Sequence, residues 1–545
     1  PPGARLSAAG DLVLEDGTNL GRRTSVPADA PYGYHRILRD DGTEQHLISG
    51  PGRCWLPVDL RTWGWVVQLA ATRSAGSWGI GDLVDLADLA RLSAGAGAGF
   101  LAVGPLTAPN PGPDPDPSPY YPSTRRFGSP LHVAVDAIAG ADAVANLAAR
   151  GRALNGEPLV DRRRALALKM EALDRLWSLG TFDQAAFGAW RNAHGASLER
   201  WAEFSALAEA LGADWRRWPS SPPPARPDRV AFHAWVQWCF DGQLAEASRH
   251  LRRVADMPVG VDPAGFDAWD WQDQLTRAAS LGVPPDRFNP AGQDWGFPPF
   301  VPHRLRQAGF RPFIETVRAQ LRHAGGLRID HVLGLFRLWW VPTGADPTEG
   351  AYVTQPAAEL LEIMALESHR AGAIVIGEDL GTVPAGVRPE LRRRGMLSTR
   401  LALFERVPPE RYPRQTFAGV TTHDLPTVAG LWSGADVRDQ AAAGREPDPS
   451  EPERLRARLA RAARVAVNAP LEQAVVELHR RLAGSPSMLI GATLEDALGV
   501  ETRPNLPGTV PPARPNWSVA LPVSIERLGI DPRVVRLAEA LRRIP

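Results

Sequence analysis

The run A-I-V-I-G-E at 373–378 is short and apolar and stops at an acid, Glu378, so it reads as a buried strand with a carboxylate at its end. Working outward, the pattern recurs upstream in L-R-I-D at 327–330, followed by His331, and downstream in G-V-T-T-H-D at 419–424. The three acids are 48 residues (378 − 330) and 46 residues (424 − 378) apart, room for one or two strand–helix units each. A barrel of parallel strands gathers such strand ends at one rim. Three carboxylates collected there are suited to breaking and remaking a glycosidic bond.

Five further apolar runs complete a set of eight expected strands: W-V-V-Q-L (65–69), F-L-A-V-G (100–104), P-V-G-V (258–261), R-L-A-L-F-E (400–405) and M-L-I-G-A-T (488–493). Helical patterns such as 82–92 and 357–369 separate them. That alternation predicts an α/β fold, a (β/α)8 TIM barrel, over residues 58–545. Two gaps are too long for simple crossovers, so insertions are expected at about 105–257 and 262–323, the first with helical stretches near 141–151, 162–178 and 198–212. The second carries G-V-P-P-D-R-F-N-P-A-G-Q-D-W-G-F-P-P-F at 282–300, expected as a loop over the barrel mouth. Residues 1–57 are punctuated by Gly and Pro and hold short alternating runs, which predict a small N-terminal β module or the remnant of one.

Composition removes several classes of function. The chain has 545 residues, 44% hydrophobic and 22% charged, with a formal net charge of +0 and no block of like charge. Neither nucleic acid nor an anionic membrane is an expected partner. No apolar run approaches the ~18–20 residues of a membrane span. The two cysteines, Cys54 and Cys239, sit among tryptophans and aliphatics and read as buried free thiols, leaving no metal site or disulfide framework. Of the 61 basic residues only Lys169 is a lysine, and it lies in a charged helical stretch. Schiff-base and P-loop chemistry both need a placed lysine and drop out. The chain opens on Pro1, which leaves open that the native N-terminus is missing and makes the lack of a signal peptide weak evidence.

Arg328 and Asp330 are two apart and share one strand face, so Arg328 is expected to hold Asp330 ionised and lower its pKa, as a nucleophile requires. Taken alone, R-I-D is equally a strand-end ion pair. Partial burial at the end of an apolar strand should raise the Glu378 pKa, as suits a proton donor to a leaving oxygen; alone, it reads better as a capping or solvent-facing acid. Asp379 points to the opposite face and reads as structural. Asp424, beside His423, could grip sugar hydroxyls and stabilise oxocarbenium charge, or simply form an Asx turn before Pro426. Eighteen tryptophans against six tyrosines is unusual. Trp235 and Trp238 fit a helical core pattern, whereas Trp295 in its Gly-flanked segment is placed to stack on sugar.

Together these motifs resemble glycoside hydrolase family 77, the 4-α-glucanotransferases called amylomaltases or disproportionating enzymes. The resemblance spans roughly residues 58 to 520. It rests on G-I-G-D (79–82), S-P-Y (118–120), the 282–300 segment, R-I-D-H, L-W-W-V-P-T-G (338–344), G-A-Y-V (350–353), V-I-G-E-D-L-G-T-V-P (375–384), T-T-H-D-L-P-T (421–427), N-L-P-G-T (505–509) and N-W (516–517). It implies Asp330 as nucleophile, Glu378 as general acid/base and Asp424 as transition-state stabiliser. It further implies that Arg328 and His423 support the sugar at the cleavage point, that Tyr120 stacks on it with Ser118 nearby, that Asp286, Phe288, Gln293 and Trp295 lie over the glucan groove, and that Asn505 stands near the eighth strand. Some members have Asn where this chain has Leu425.

The implied activity is transfer of α-1,4-glucan segments between maltodextrins by a retaining double displacement. Maltose, maltotriose and maltodextrins would serve as donor and acceptor, without cofactor or metal, in the cytoplasm. An α-amylase-type hydrolase shares the R-x-D, Glu and His-Asp arrangement and is the alternative. A non-catalytic glucan-binding barrel is the alternative outside enzymes.

Overall fold

The structure is a computed structural model that describes residues 5–285, 291–448, 450–509 and 513–542. Eight strands close into a barrel: Thr62–Val67, Phe100–Val103, Arg252–Met257, Gly326–Ile329, Ile374–Gly377, Leu397–Leu401, Thr416–Gly419 and Leu489–Thr493. Neighbours pair in parallel all the way round, the fourth strand returning to the third to complete the circle. This is the (β/α)8 barrel that the alternating pattern predicts.

Its interior is filled by Phe100, Val254, Ile374, Ile376, Leu397 and Leu489, with Val66 and Phe417 against them. Phe100 and Phe417 are the bulkiest of these, and two glycines make room for them. Gly64 and Gly491 face each other across the first and eighth strands. A Cβ on Gly64 would lie 2.2 Å from the Phe100 carbonyl oxygen, and one on Gly491 would lie 2.4 Å from Phe417 Cζ. Close packing leaves no slack for either.

Strand positions differ from expectation in places. The third strand is Arg252–Met257, not 258–261. Its opening pair, Arg252 and Arg253, hides a strand whose remaining residues are buried, and the apolar run read as the strand is the connection leaving it. The sixth and seventh strands also lie about three residues earlier than expected, so Asp424 stands five residues past its strand (424 − 419) and not at the strand's last position.

The first insertion is helical, built mainly from Arg162–Leu179, Gln184–Leu211 (broken at Gly195) and Pro227–Ala247. Lys169 is wholly buried inside it and donates to the carbonyls of Leu131 (2.7 Å) and Val133 (2.9 Å), with Asp82 at 3.7 Å. The single lysine thus ties the insertion to the start of the first barrel helix, Leu83–Gly95, which Asp82 caps. Trp235 is core, packed with Trp177 and Phe182, and Trp238 is half-buried in the same aromatic group.

In the second insertion, the segment expected as a loop holds the strand Gln293–Phe297 and the end of another, Ala279–Val283. They join Arg337–Pro342 and Ala351–Thr354 in a four-stranded antiparallel sheet beside the barrel mouth. Residues 5–49 form another four-stranded antiparallel sheet, fixed to the barrel by Tyr34 Oη donating to Glu367 (2.7 Å) and by Glu15 pairing with Arg318 and Arg370. Both cysteines are free; Cys54 is buried as expected, whereas Cys239 is only half-buried. Among the described residues, no helix is long and apolar enough to cross a membrane.

Candidate active site

The fourth and fifth barrel strands run side by side, Ile329 opposite Gly377. The next residue on each is an acid, so Asp330 and Glu378 emerge together at the C-terminal rim. After Asp330 the chain turns sharply through His331, whose backbone is left-handed (φ 47°, ψ 62°), an uncommon conformation that often marks functional sites. The turn aims the His331 N–H at Glu378 Oε2 (3.0 Å), while the Leu380 N–H reaches Glu378 Oε1 (2.7 Å). Both carboxyl oxygens of Glu378 are therefore held by backbone donors. Asp379 faces the other way, completely buried, and accepts from the Thr399 N–H (2.7 Å) and Arg388 Nε (2.8 Å), the structural part expected of it.

Arg328 sits behind the pair. Its Nη2 donates to Asp330 (2.9 Å) and its Nη1 to both oxygens of Asp256 (2.6 and 2.8 Å). Tyr120 Oη donates to the same Asp256 (2.6 Å), and its ring packs against His423 and Trp517 at centroid distances of 4.8 and 5.3 Å. Ser118 accepts the Tyr120 N–H (3.3 Å). Opposite them, Asp424 accepts from Asn505 Nδ2 (2.7 Å) and lies 3.4 Å from His423 Nε2. The Asn505 N–H also donates to the His423 carbonyl (3.0 Å), tying the two segments together. Trp295 projects from the strand Gln293–Phe297, not from a loop; its indole stands edge-on to His331 at 5.4 Å and donates to Gln293 Oε1 (3.1 Å).

Asp330, Glu378, Asp424, Tyr120, Ser118, Gln293, Trp295 and Asn505 line one open cleft of about 780 Å³, with Arg328 and His423 immediately behind it. Asp286 and Phe288 lie outside the described residues. Sequence reasoning missed Asp256, because its strand was placed six residues too late. It also passed over Trp517, although N-W was part of the quoted pattern. Among the described residues, no cluster of three or more His, Cys, Asp or Glu side chains could hold a metal ion.

The three acids are tuned differently. Burial pushes Glu378 above the usual carboxylate range, outweighing Arg328 and the two backbone donors, so it is suited to carry a proton. Asp424 goes the other way. Burial raises it, but His423, Asn505 and Arg328 outweigh that and keep it ionised, while 42% of its side chain remains open to the cleft.

Asp330 departs from expectation. Its pKa is pushed up to about 6, not lowered. Burial is the main cause, and Asp256, Glu378 and Asp424 add negative potential against the opposing pull of Arg328. The guanidinium is shared, with two of its three hydrogen bonds going to Asp256. An attacking carboxylate must be ionised, so with Asp330 in that role kcat/KM should fall on the acid side near pH 6. Asp256→Asn removes one negative neighbour and leaves Arg328 to Asp330, so the acid limb is expected to move to lower pH, read from a kcat/KM profile, whatever the loss in rate. A limb that stays in place or moves up would contradict this electrostatic account.

Comparison with known proteins agrees with this geometry. The family model described as 4-alpha-glucanotransferase, glycoside hydrolase family 77, matches residues 67–524. A 4-alpha-glucanotransferase of Mycobacterium tuberculosis is 41% identical, covering 97% of this chain and 82% of its own length. The crystal structure of amylomaltase from Corynebacterium glutamicum superposes with a TM-score of 0.90 at 31% identity, covering 98% of this chain and 87% of that one. The amylomaltase from Streptococcus agalactiae in complex with acarbose shares the fold, with a TM-score of 0.69 at 18% identity over 88% of this chain and 98% of that one. With eight strands closed, three acids on one rim and a model match over most of its length, the chain belongs to the 4-alpha-glucanotransferase family, glycoside hydrolase family 77.

Proposed function

We propose that this enzyme transfers α-1,4-glucan segments from one maltodextrin to another by a retaining double displacement, with Asp330 as nucleophile, Glu378 as acid/base and Asp424 as stabiliser. The observation that carries the reading is the meeting of three carboxyl groups in one cleft: Asp330 and Glu378 leave adjacent strands side by side, and Asp424 lines the same cleft, held ionised by His423 and Asn505. Burial leaves Glu378 suited to carry the proton that a leaving glycosidic oxygen requires.

In the first step the Glu378 proton passes to the glycosidic oxygen as that bond breaks, and Asp330 attacks the anomeric carbon to form an ester. Charge develops on the sugar ring beside ionised Asp424. In the second step Glu378 removes the proton from the 4-hydroxyl of an incoming glucan, which displaces Asp330 and restores the α configuration. Tyr120, Ser118, Arg328, His423 and Asn505 would hold the reacting sugar. Maltose, maltotriose and longer maltodextrins would act as donor and acceptor, in the cytoplasm, where free thiols stay reduced.

Maltotriose supplied alone tests the activity. Glucose together with a ladder of longer maltodextrins is the expected product pattern; new reducing ends without longer chains would mean a hydrolase, and no change a binding protein.

Transfer requires that a sugar outcompete water at the ester. Trp295, on its strand above the cleft, offers an apolar indole face for the acceptor. Trp295→Ala is therefore expected to lower transfer while hydrolysis holds or rises, read as the ratio of longer maltodextrins to net new reducing ends at matched folded fraction. An unchanged ratio in a stable variant would remove Trp295 from acceptor choice.

A further inference from the structure

Glu495 is a buried acid at the catalytic rim that the mechanism above leaves unused. It is the second residue of the short helix Leu494–Leu498, directly after the eighth barrel strand, and only 7% of it is exposed. Among the described residues, its carboxyl group meets no donor other than its own backbone N–H. It lines a small, partly open space of about 60 Å³ with Gln68, His132, Arg162, Pro504 and Trp517. A space of that size, with these few polar groups on a largely apolar wall, has room for a few water molecules. Trp517 also lines this space, and its ring packs against Tyr120 and His423 (ring centroids 5.3 and 5.0 Å).

The charges around Glu495 do not neutralise it. Arg162 is spent on the Trp517 carbonyl (2.5 Å) and Ser518 Oγ (3.1 Å). His132 meets the Gly81 carbonyl with one ring nitrogen, and burial holds it down to about 4, so it is uncharged. Asp116 is an acid that burial also pushes up, and Asp496, next in the chain, adds negative potential. His423 is the one positive influence on Glu495. An unpaired carboxylate in such a place costs far more than an uncharged carboxyl that can donate to water. Burial accordingly pushes Glu495 up to about 7.

The helix that carries Glu495 is coupled to the catalytic segment. Asp496 Oδ1 accepts the Val428 N–H (2.8 Å), four residues after Asp424 (428 − 424). Displacement or charging at this helix thus reaches the segment that holds His423 and Asp424.

We propose that Glu495 is a positioning residue acting through Trp517 and His423: uncharged, it donates a hydrogen bond into the cavity and supports the back of the Tyr120–His423–Trp517 stack, and its ionisation withdraws that support. The proposal rests on the glucan-transfer reading of the cleft. It adds a group, set apart from the three acids, that makes transfer decline as pH rises through neutrality.

The test compares wild type, Glu495→Gln and Glu495→Ala in maltotriose disproportionation from about pH 5.5 to about pH 8.5. Glutamine keeps the shape and a donor but cannot ionise. At the acid end Glu495→Gln should match wild type within about twofold while Glu495→Ala falls by roughly tenfold, and the Gln/wild-type ratio of kcat/KM should rise roughly threefold or more by the alkaline end. Stability gives a second reading. A folded pKa raised above the unfolded one contributes stability that is present at low pH and lost as pH rises through the folded value, here about 7. The melting temperature of Glu495→Gln should therefore gain on wild type between about pH 5 and about pH 8. A flat or falling ratio overturns the proposal, as does a Gln variant no better than Ala. A Gln variant that fails to fold at acid pH overturns it too, because the amide is the nearest stand-in for the uncharged acid. If wild type itself makes no longer maltodextrins, it is the transfer reading that fails.

Discussion

Asp330→Asn is expected to lower transfer by about 10⁴-fold or more at every pH while leaving the fold intact. An amide nitrogen or oxygen cannot form the ester that the double displacement requires. The substitution removes the charge facing Arg328 Nη2 but keeps an oxygen that can accept from it, and Nη1 keeps both bonds to Asp256, so the guanidinium stays anchored. The measurement is maltotriose disproportionation alongside circular dichroism and melting temperature. Residual activity of about a tenth in a well-folded variant would show that another group attacks the sugar. The size of this effect separates a nucleophile from a carboxylate that merely offers charge, since loss of one favourable charge in a cleft rich in acids is a smaller deficit.

Glu378→Gln should separate the two chemical steps. With maltodextrin donors, whose leaving sugar needs a proton, the rate is expected to fall by roughly 10³-fold or more. With an α-glucosyl fluoride, which leaves with little help, the first step should be much less impaired. The second step still needs a base for an acceptor hydroxyl, so the ester should accumulate. The local geometry makes the pair of donors essential to the argument. Glu378 accepts the His331 N–H with one oxygen and the Leu380 N–H with the other, so an amide NH2 must face one of those donors. That mismatch slows every substrate alike. Only the difference between the two donors reports proton transfer, and equal losses with both would argue against Glu378 as the acid.

Much of this site was legible in the chain because barrel strands here are short apolar runs and two of the acids, Asp330 and Glu378, follow them directly. Asp330 comes one residue after the fourth strand and Glu378 one after the fifth, and the strand pairing that sets Ile329 against Gly377 brings them together without any long-range coincidence. Asp379 was legible for the same reason, since its neighbour in sequence faces the opposite way. Asp256 was not. Arg252 and Arg253 open its strand with two charges, and the apolar P-V-G-V that follows is a more persuasive strand by composition than the strand itself. Trp295 was assigned to the right place over the cleft but on the wrong kind of element. Its Gly and Pro neighbours signal turns, whereas the extended pairing of Gln293–Phe297 depends on Ala279–Val283, an earlier stretch of the chain.

The Asp330 pKa departs furthest from what the sequence predicts, for a physical reason. One arginine two residues away is visible in sequence, but the competing carboxylates come from the third, fifth and seventh strands. Whether Arg328 wins depends on how many acids share it, which only the closed barrel determines. Glu495 belongs to the same category. In sequence it is an ordinary acid in L-E-D-A-L, and nothing there shows that it is buried and lines a small space with Trp517.

The most direct test of the central claim is to quench Glu378→Gln after reaction with α-glucosyl fluoride and map the adduct by peptide mass spectrometry. The account predicts one glucosyl group in ester linkage on the peptide that carries Asp330, released on adding maltose with formation of an α-linked product. No adduct under conditions where fluoride is freed, an adduct on another acid, or release as a β-linked product would contradict it.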